Sequence, residues 1–396
     1  MRHHRFSVAN PPGLRGALAA ALVLVLLTLP ARRAEAYPWM IKNGYTGCAS
    51  CHVDPSGGGL LNELGRSEAT DSLRSHYGSE PAPIEPVLGL VKTPEWLLTG
   101  GSLRVMSLFM KTDGAPLMSS TILMQADLRA GIEAGHWRAA GSLGFIQNGN
   151  SPAAVVGNLV AREYWLGYAL ASDTILVRAG RLNVPFGIRS IEHTLFVRAA
   201  TRTDLNDTQQ HGVAFAFRGH GLRGELEAIA GNYQASPDAF RERGYSGYVE
   251  WNPVGRYVVG ASSLVTHVAE DVYFRAANTR QAHGLLVRAA PFQPLAVLAE
   301  ADYVTQAPMG LARWNGLATM LQLDLEPWQG LHVIGTGETY ASGQPGTPTS
   351  WGAWGGLGWF VWSHVDVRFD YMHRAEAYGM VRVPVDAFMG QLHVFL

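Results

Sequence analysis

An alternation of period two recurs along most of this chain, and no other feature narrows its possible folds as much. Between Ile122 and Glu133 the apolar side chains Met124, Ala126, Leu128, Ala130 and Ile132 occupy every second position, with Gln125, Asp127, Arg129 and Glu133 among the positions between. From His364 to Tyr371 the same pattern sets Val365, Val367, Phe369 and Tyr371 against Asp366, Arg368 and Asp370. Successive side chains of a β-strand point to opposite faces, so each segment reads as a strand with one greasy and one polar face. Such segments begin near Thr99, Met118, His136, Asn158, Asp173, Gln209, Gly221, Gly244, Arg256, Thr279, Pro294, Trp314, Gln329, Ser350, His364 and Pro384, sixteen in all. An even number of alternating segments, each of about ten residues, predicts a transmembrane antiparallel β-barrel with apolar side chains outside and polar ones in the lumen.

Composition agrees. Only 16% of residues are charged, against roughly 25% in soluble domains. With 45 glycines, 11 tryptophans and 14 tyrosines, the chain has the bulk character of a barrel that faces lipid rather than that of a soluble sandwich or propeller. Trp137, Trp165, Trp251, Trp328 and Tyr340 fall near strand ends, where interfacial girdles form. Tight turns such as 218–221 and 252–255 alternate with longer polar stretches such as 342–350, and a final strand runs from Phe388 to Leu396. The net charge of -1 argues against a nucleic-acid partner. The expected fold class is therefore all-β, a barrel of about 16 strands over residues 99–396 in the outer membrane, with membrane lipid as its surround.

Upstream of the barrel the pattern changes. Residues 1–36 read as a cleaved signal peptide: Arg2, Arg5 and Arg15 precede an apolar stretch from Ala17 to Leu29, and Ala34-Glu35-Ala36 is a cleavage site. That stretch is too short to span a bilayer, which takes about 20 residues. Residues 37–80 hold both cysteines, and residues 81–98 form a Pro-rich linker. Cys48, Cys51 and His52 make C-x-x-C-H, in which two thiols add to haem vinyl groups and the imidazole is an axial ligand of the iron. A structural zinc site would want a second ligand pair, and the sequence has no second cysteine pair. Gly57, Gly58 and Gly59 suit close backbone approach to a flat ring, since glycine has no Cβ. A helix is expected from Ser67 to His76, and the distal position is open among His76, Met40, a barrel residue such as His211 or Met106, and solvent. One polar, irregular insertion, 185–207, reads either as a surface loop or as a segment folded into the lumen that narrows the pore or covers the haem.

A single C-x-x-C-H near the expected mature N-terminus, with the Gly-rich, Leu and Gly-Arg run of residues 55–66 and then a barrel, resembles the fused outer-membrane monohaem cytochrome-porins of ferrous iron oxidation and extracellular electron transfer. The resemblance implies one covalent haem c in a pore. It also implies an extracellular redox donor or acceptor, possibly ferrous iron, and a periplasmic electron carrier such as a soluble cytochrome c. At most the chain would be a ferrous-iron-oxidising cytochrome. The alternative is a solute-transport porin whose haem segment is a structural plug or sensor. One haem cannot bridge about 30 Å of hydrocarbon, so a conduit needs a lumen that admits donor and acceptor from opposite sides. Asp127, Glu133, Asp366 and Asp370 face that lumen, and Arg129 and Arg368 among them predict an ordinary solvated pore wall.

Overall fold

The computed structural model describes residues 37–75, 94, 96–145, 159–190, 192, 194–204, 208–233 and 241–395, so the expected signal peptide, most of the linker and His76 lie outside the described residues. The strands are β1 (Leu97–Thr112), β2 (Met118–Ala134), β3 (Trp137–Phe145), β4 (Leu159–Val160), β5 (Tyr164–Leu170), β6 (Ile175–Leu182), β7 (Gln210–Gly219), β8 (Leu222–Gly231) and β9 (Arg243–Val254). There follow β10 (Tyr257–Val268), β11 (Asn278–Phe292), β12 (Leu295–Pro308), β13 (Trp314–Trp328), β14 (Leu331–Ala341), β15 (Ser350–Trp362), β16 (Val365–Tyr378) and β17 (Val381–Phe395). They make sixteen staves, because β4 and β5 are two pieces of one stave and both pair with β3. Every neighbour is antiparallel, and β17 closes on β1 from Ser102↔Phe395 to Thr112↔Val385. Closure joins the first strand to the last, as spanning hydrocarbon with β structure requires, and among the described residues β2 is paired to β3 from Ala126 to Ala134.

Each expected strand start lies within three residues of an observed one; the largest shift is at the last strand, which starts at Val381 rather than Pro384. Seven turns of two to four residues join strands at one rim, and the longer loops lie at the other together with the two-residue turn 379–380. At the turn of His220 and Gly221 both residues have positive φ, 51° and 78°, the left-handed pair that follows the twist of a two-residue hairpin.

The alternation sorts side chains as expected. Leu128 is 73% exposed and Phe369 61%, whereas Asp127 beside Leu128 is 4% exposed. An apolar belt of this extent is what lipid covers. Trp137, Trp251 and Trp328 are exposed at the short-turn rim, as a girdle requires. Trp165 and Tyr340 differ: Trp165 is buried on the lumen face with the Arg178 guanidinium 5.1 Å from its ring, and Tyr340 packs on an interior apolar cluster. Parity decides this, since Trp165 and Tyr340 share their strand face with buried neighbours such as Glu163 and Glu338.

The interior is packed, and this overturns the solvated wall expected above. Asp127 is paired with Arg129 and Arg162, Asp370 with Arg368, and Asp366 with His393. Residues 183–190 and 194–204 enter the lumen and bury Val184, Phe186, Ile188, Leu195 and Val197 against Leu264, Leu286, Leu298 and Met320 of the wall. Each such burial contributes roughly 1.5–3 kcal/mol. The short helix α2 (Phe196–Thr201) belongs to this insertion, and Arg198 in it pairs with Glu300 of β12. Nearer the short-turn rim, residues 37–75 form a second body inside the barrel. Their helix, α1 (Glu63–Asp71), begins before the expected Ser67 because Asn62 caps it, its side chain accepting from the Gly65 N–H.

Candidate functional site

Three anchors hold residues 37–75 in the lumen. The Lys42 ammonium, fully buried, lies 3.1 Å from Asp324 and 3.0 Å from Glu326 on β13. Asp54 accepts from Arg178 at 2.8 Å and from Asn183 at 2.9 Å, while Ser56 folds back onto the same carboxylate through its N–H and hydroxyl. Burial raises the Asp54 pKa, but Arg178, Arg189 and Asn183 pull harder, so its carboxyl sits below the usual carboxylate range. At the end of the segment the Ser75 N–H donates to the Phe360 carbonyl at 2.9 Å, and Trp359 Nε1 donates to Ser75 Oγ at 2.8 Å.

Between this body and the wall lies a cavity with about 1260 Å³ of empty space, open solvent included. The plug supplies Cys48, His52, the three glycines and the apolar Leu61, Ala69 and Leu73; the wall supplies Arg104, Arg129, Arg162, Glu163, His393 and Phe395; and the insertion supplies Arg189. The interruption of the stave between β4 and β5 is what brings Arg162 and Glu163 inward side by side.

The segment around the cysteines is a tight loop. His52 bridges to Leu61, Val53 N–H donates to the Leu60 carbonyl at 3.0 Å, and Asn62 N–H donates to the Cys51 carbonyl at 2.9 Å. Gly57, Gly58 and Gly59 all have positive φ. A Cβ at Gly57 would meet the Cys48 side chain, and one at Gly59 the Glu163 carboxylate. The glycine run therefore has a local cause, a left-handed turn pressed against its neighbours, besides its place on the cavity wall.

A covalently held haem c asks for two free thiols, a neutral imidazole, a room with apolar walls, and cationic partners for its two carboxylates. Cys48 and Cys51 are free thiols. Enclosure in the barrel lowers the His52 pKa to about 4; Asp54 opposes that shift and Arg129 adds to it. The ring is therefore neutral at ordinary pH, and its Nδ1 has no hydrogen-bond partner. Around the same cavity Arg104 Nε, Arg162 Nε and Nη2, and Arg189 Nε are buried N–H donors without acceptors. Such donors are costly to leave unmet, and a dicarboxylate meets them. Cys51 stands apart: it is fully buried in the apolar cluster of Trp39, Met40 and Ile41, one layer behind the cavity wall. No group of three or more His, Cys, Asp or Glu side chains of metal-site geometry occurs among the described residues.

Of the other expected ligands, Met40, His211 and Met106 are not brought to the cavity. Met40 is fully buried in that same apolar cluster, and its sulfur accepts from Asn43. His211 bonds the Tyr164 hydroxyl at 2.7 Å and the Tyr233 N–H at 3.1 Å, away from the cavity, and Met106 does not line it. His393, unmarked in the sequence beyond its place on an alternating strand, does line it.

No protein-family model matches the chain, and no curated protein does. Similarity to solved structures is confined to fold. An in-vitro folded OmpT, an outer membrane protein of Vibrio cholerae, is 9% identical with a TM-score of 0.58, over 78% of this chain and 100% of that one. An anion-selective porin from Comamonas acidovorans is 11% identical with a TM-score of 0.58, over 76% and 99%. The outer membrane channel DcaP of Acinetobacter baumannii is 14% identical with a TM-score of 0.53, over 75% and 96%. The chain thus has the closed sixteen-stranded barrel of outer-membrane porins.

Proposed function

We propose that this protein is an outer-membrane barrel that carries electrons through one covalently bound haem c between an extracellular redox partner and a periplasmic carrier. The observation that carries the reading is the filling of the lumen. A barrel of sixteen strands encloses a channel wide enough for water and solutes, yet here residues 37–75, 183–190 and 194–204 pack its interior and surround a cavity at Cys48 and His52. A haem c supplies a one-electron carrier at that point, and no bond to the redox partners need form. The chain's own residues do the rest. Cys48 would tether the haem from the cavity wall and Cys51 by turning out of its apolar cluster, His52 would ligate through a neutral ring, and Arg104, Arg162 and Arg189 would hold carboxylates with their unmet N–H groups. Lys42 and Asp54 anchor the plug to the wall through buried ion pairs.

One experiment decides the matter. Visible spectra of the full-length oxidised protein in detergent are recorded before and after ferrous iron, with dithionite as the full-reduction control. Reduction by iron to the dithionite level supports the conduit with ferrous iron as donor. Dithionite reduction without iron reduction points to another donor. Absence of c-type bands removes the haem reading altogether.

A second reading has its own support. The structural neighbours are porins and channels, one described as anion-selective, and the arginines around the cavity suit an anionic solute. On this reading the protein is a solute porin with residues 37–75 as plug. Large, stable open currents in planar bilayers would favour it over a sealed conduit.

A further inference from the structure

We propose that His393, on the last strand of the barrel, is the second axial ligand of the iron, opposing His52 from the plug; the assignment rests on the haem c reading above. His52 and His393 both line the cavity, one from the inserted segment and one from the wall. The register of the wall builds the histidine site. β16 and β17 place Asp366 directly across from His393, and β1 and β17 place Arg104 across from it on the other side. Asp366 Oδ2 lies 2.8 Å from His393 Nδ1, so the carboxylate accepts the Nδ1 proton and Nε2 keeps its lone pair. A carboxylate behind one ring nitrogen is the arrangement that orients a metal-ligating imidazole and raises its basicity.

One neighbour stands at Nε2. It is the Ser102 hydroxyl at 3.0 Å, which has a second acceptor, Gln125 Oε1, at 3.3 Å. For iron to bind there Ser102 must change rotamer and swing its oxygen off Nε2, and Gln125 is the acceptor that keeps the hydroxyl partnered. Phe395 stacks on the imidazole with ring centroids 5.1 Å apart and planes 28° apart, which fixes the ring plane.

Two imidazoles give a six-coordinate iron with no open position, suited to electron transfer rather than oxygen or peroxide chemistry. They also set a lower potential than a Met/His pair. Because one ligand comes from the plug and the other from β17, the iron would cross-link the inserted segment to the strand that closes the barrel.

The test uses the full-length haem-loaded protein in detergent, with ferric EPR, visible spectra, redox titration and haem stoichiometry by pyridine haemochrome. Wild type is expected to be low-spin without a sulfur-to-iron charge-transfer band. His393→Ala is expected to keep its covalent haem, turn high-spin, bind carbon monoxide when reduced, and return to low spin with added imidazole. His393→Met is expected to gain the sulfur band and a higher potential, and Asp366→Asn a smaller upward shift; these two variants carry the test where His393→Ala fails to fold. Low-spin iron of unchanged potential in the His393 variants overturns the assignment, as does loss of low spin in His76→Ala while His393→Ala retains it. Absence of covalent haem from the wild type overturns the haem reading itself and is seen before any variant is made.

Discussion

Replacing Asp54 by alanine should release the inserted segment from the lumen. Asp54 is 1% exposed, and it neutralises Arg178, whose side chain is wholly buried and shares a second partner, Glu225. The substitution removes that charge, the acceptor for Asn183, and both bonds that fold Ser56 back. Arg178 Nε and Nη1 already lack partners, so Glu225 is left as the carboxylate that compensates the guanidinium. Breaking a buried ion pair from one side costs about 3–5 kcal/mol when the charge is left bare, and the retained Glu225 puts Asp54→Ala at or below about 3 kcal/mol. At 1.4 kcal/mol per factor of ten, the docked-to-released ratio should fall by up to roughly two powers of ten. Asp54→Asn, which keeps an acceptor but no charge, should fall between wild type and alanine. The assay is single-channel conductance in planar bilayers, paired with protease cleavage within residues 37–75. Wild type should be closed and resistant; Asp54→Ala should show open events and cleavage, and Asp54→Ala with Lys42→Met should show more than either alone. Variants at both anchors that stay as closed and as resistant as wild type would refute the claim that buried charges hold the plug.

Three further outcomes are expected. A Cβ at Gly65 would run onto the Cys51 carbonyl, so Gly65→Ala should lower covalent haem on a haem-stained gel while the barrel keeps its heat-modifiable mobility. Leu128 faces outward at 73% exposure, and Leu128→Arg should destabilise the barrel in lipid by up to about 2–4 kcal/mol, depending on depth, as read by urea unfolding in vesicles. At the long-loop rim, burial raises the Asp271 pKa, but Arg202 at 2.8 Å, Asn278 and the Tyr273 N–H lower it further, leaving it below the ordinary value. A depressed carboxyl stabilises above its unfolded pKa, about 3.9, and that contribution is lost as pH falls through the folded value. Acid below about pH 4 should therefore loosen residues 194–204 to proteolysis, and Asp271→Asn should show the same loosening at neutral pH.

The wall of the barrel was largely legible in the chain. Period-two alternation is a local property of a strand, and placing all sixteen starts within three residues required only reading polar against apolar at successive positions. Girdle residues were legible only in part, because the inward or outward sense of Trp165 and Tyr340 depends on which neighbours share their face. C-x-x-C-H marks Cys48, Cys51 and His52 by spacing alone. Helix α1 began early because a single capping side chain, Asn62, set its start. Asn at that position was the available signal.

What only the tertiary structure decided is what fills the lumen and who faces the cavity. Alternation puts Asp127, Asp366 and Asp370 inward and sets Arg368 beside Asp370, but does not say that Arg162 pairs with Asp127 or that His393 bonds Asp366. Those last partners are separated by dozens of residues and meet through strand register or through the break between β4 and β5. The same holds for Lys42 and Asp324, 282 positions apart, and for Asp366 and His393, 27 apart. By itself the sequence determined a closed barrel with a thiol-and-imidazole motif ahead of it, since both are written in short-range spacing. The meeting of plug, insertion and wall around that motif is long-range, and it is specified only once the sheet has closed and its register has fixed which side chains share the interior.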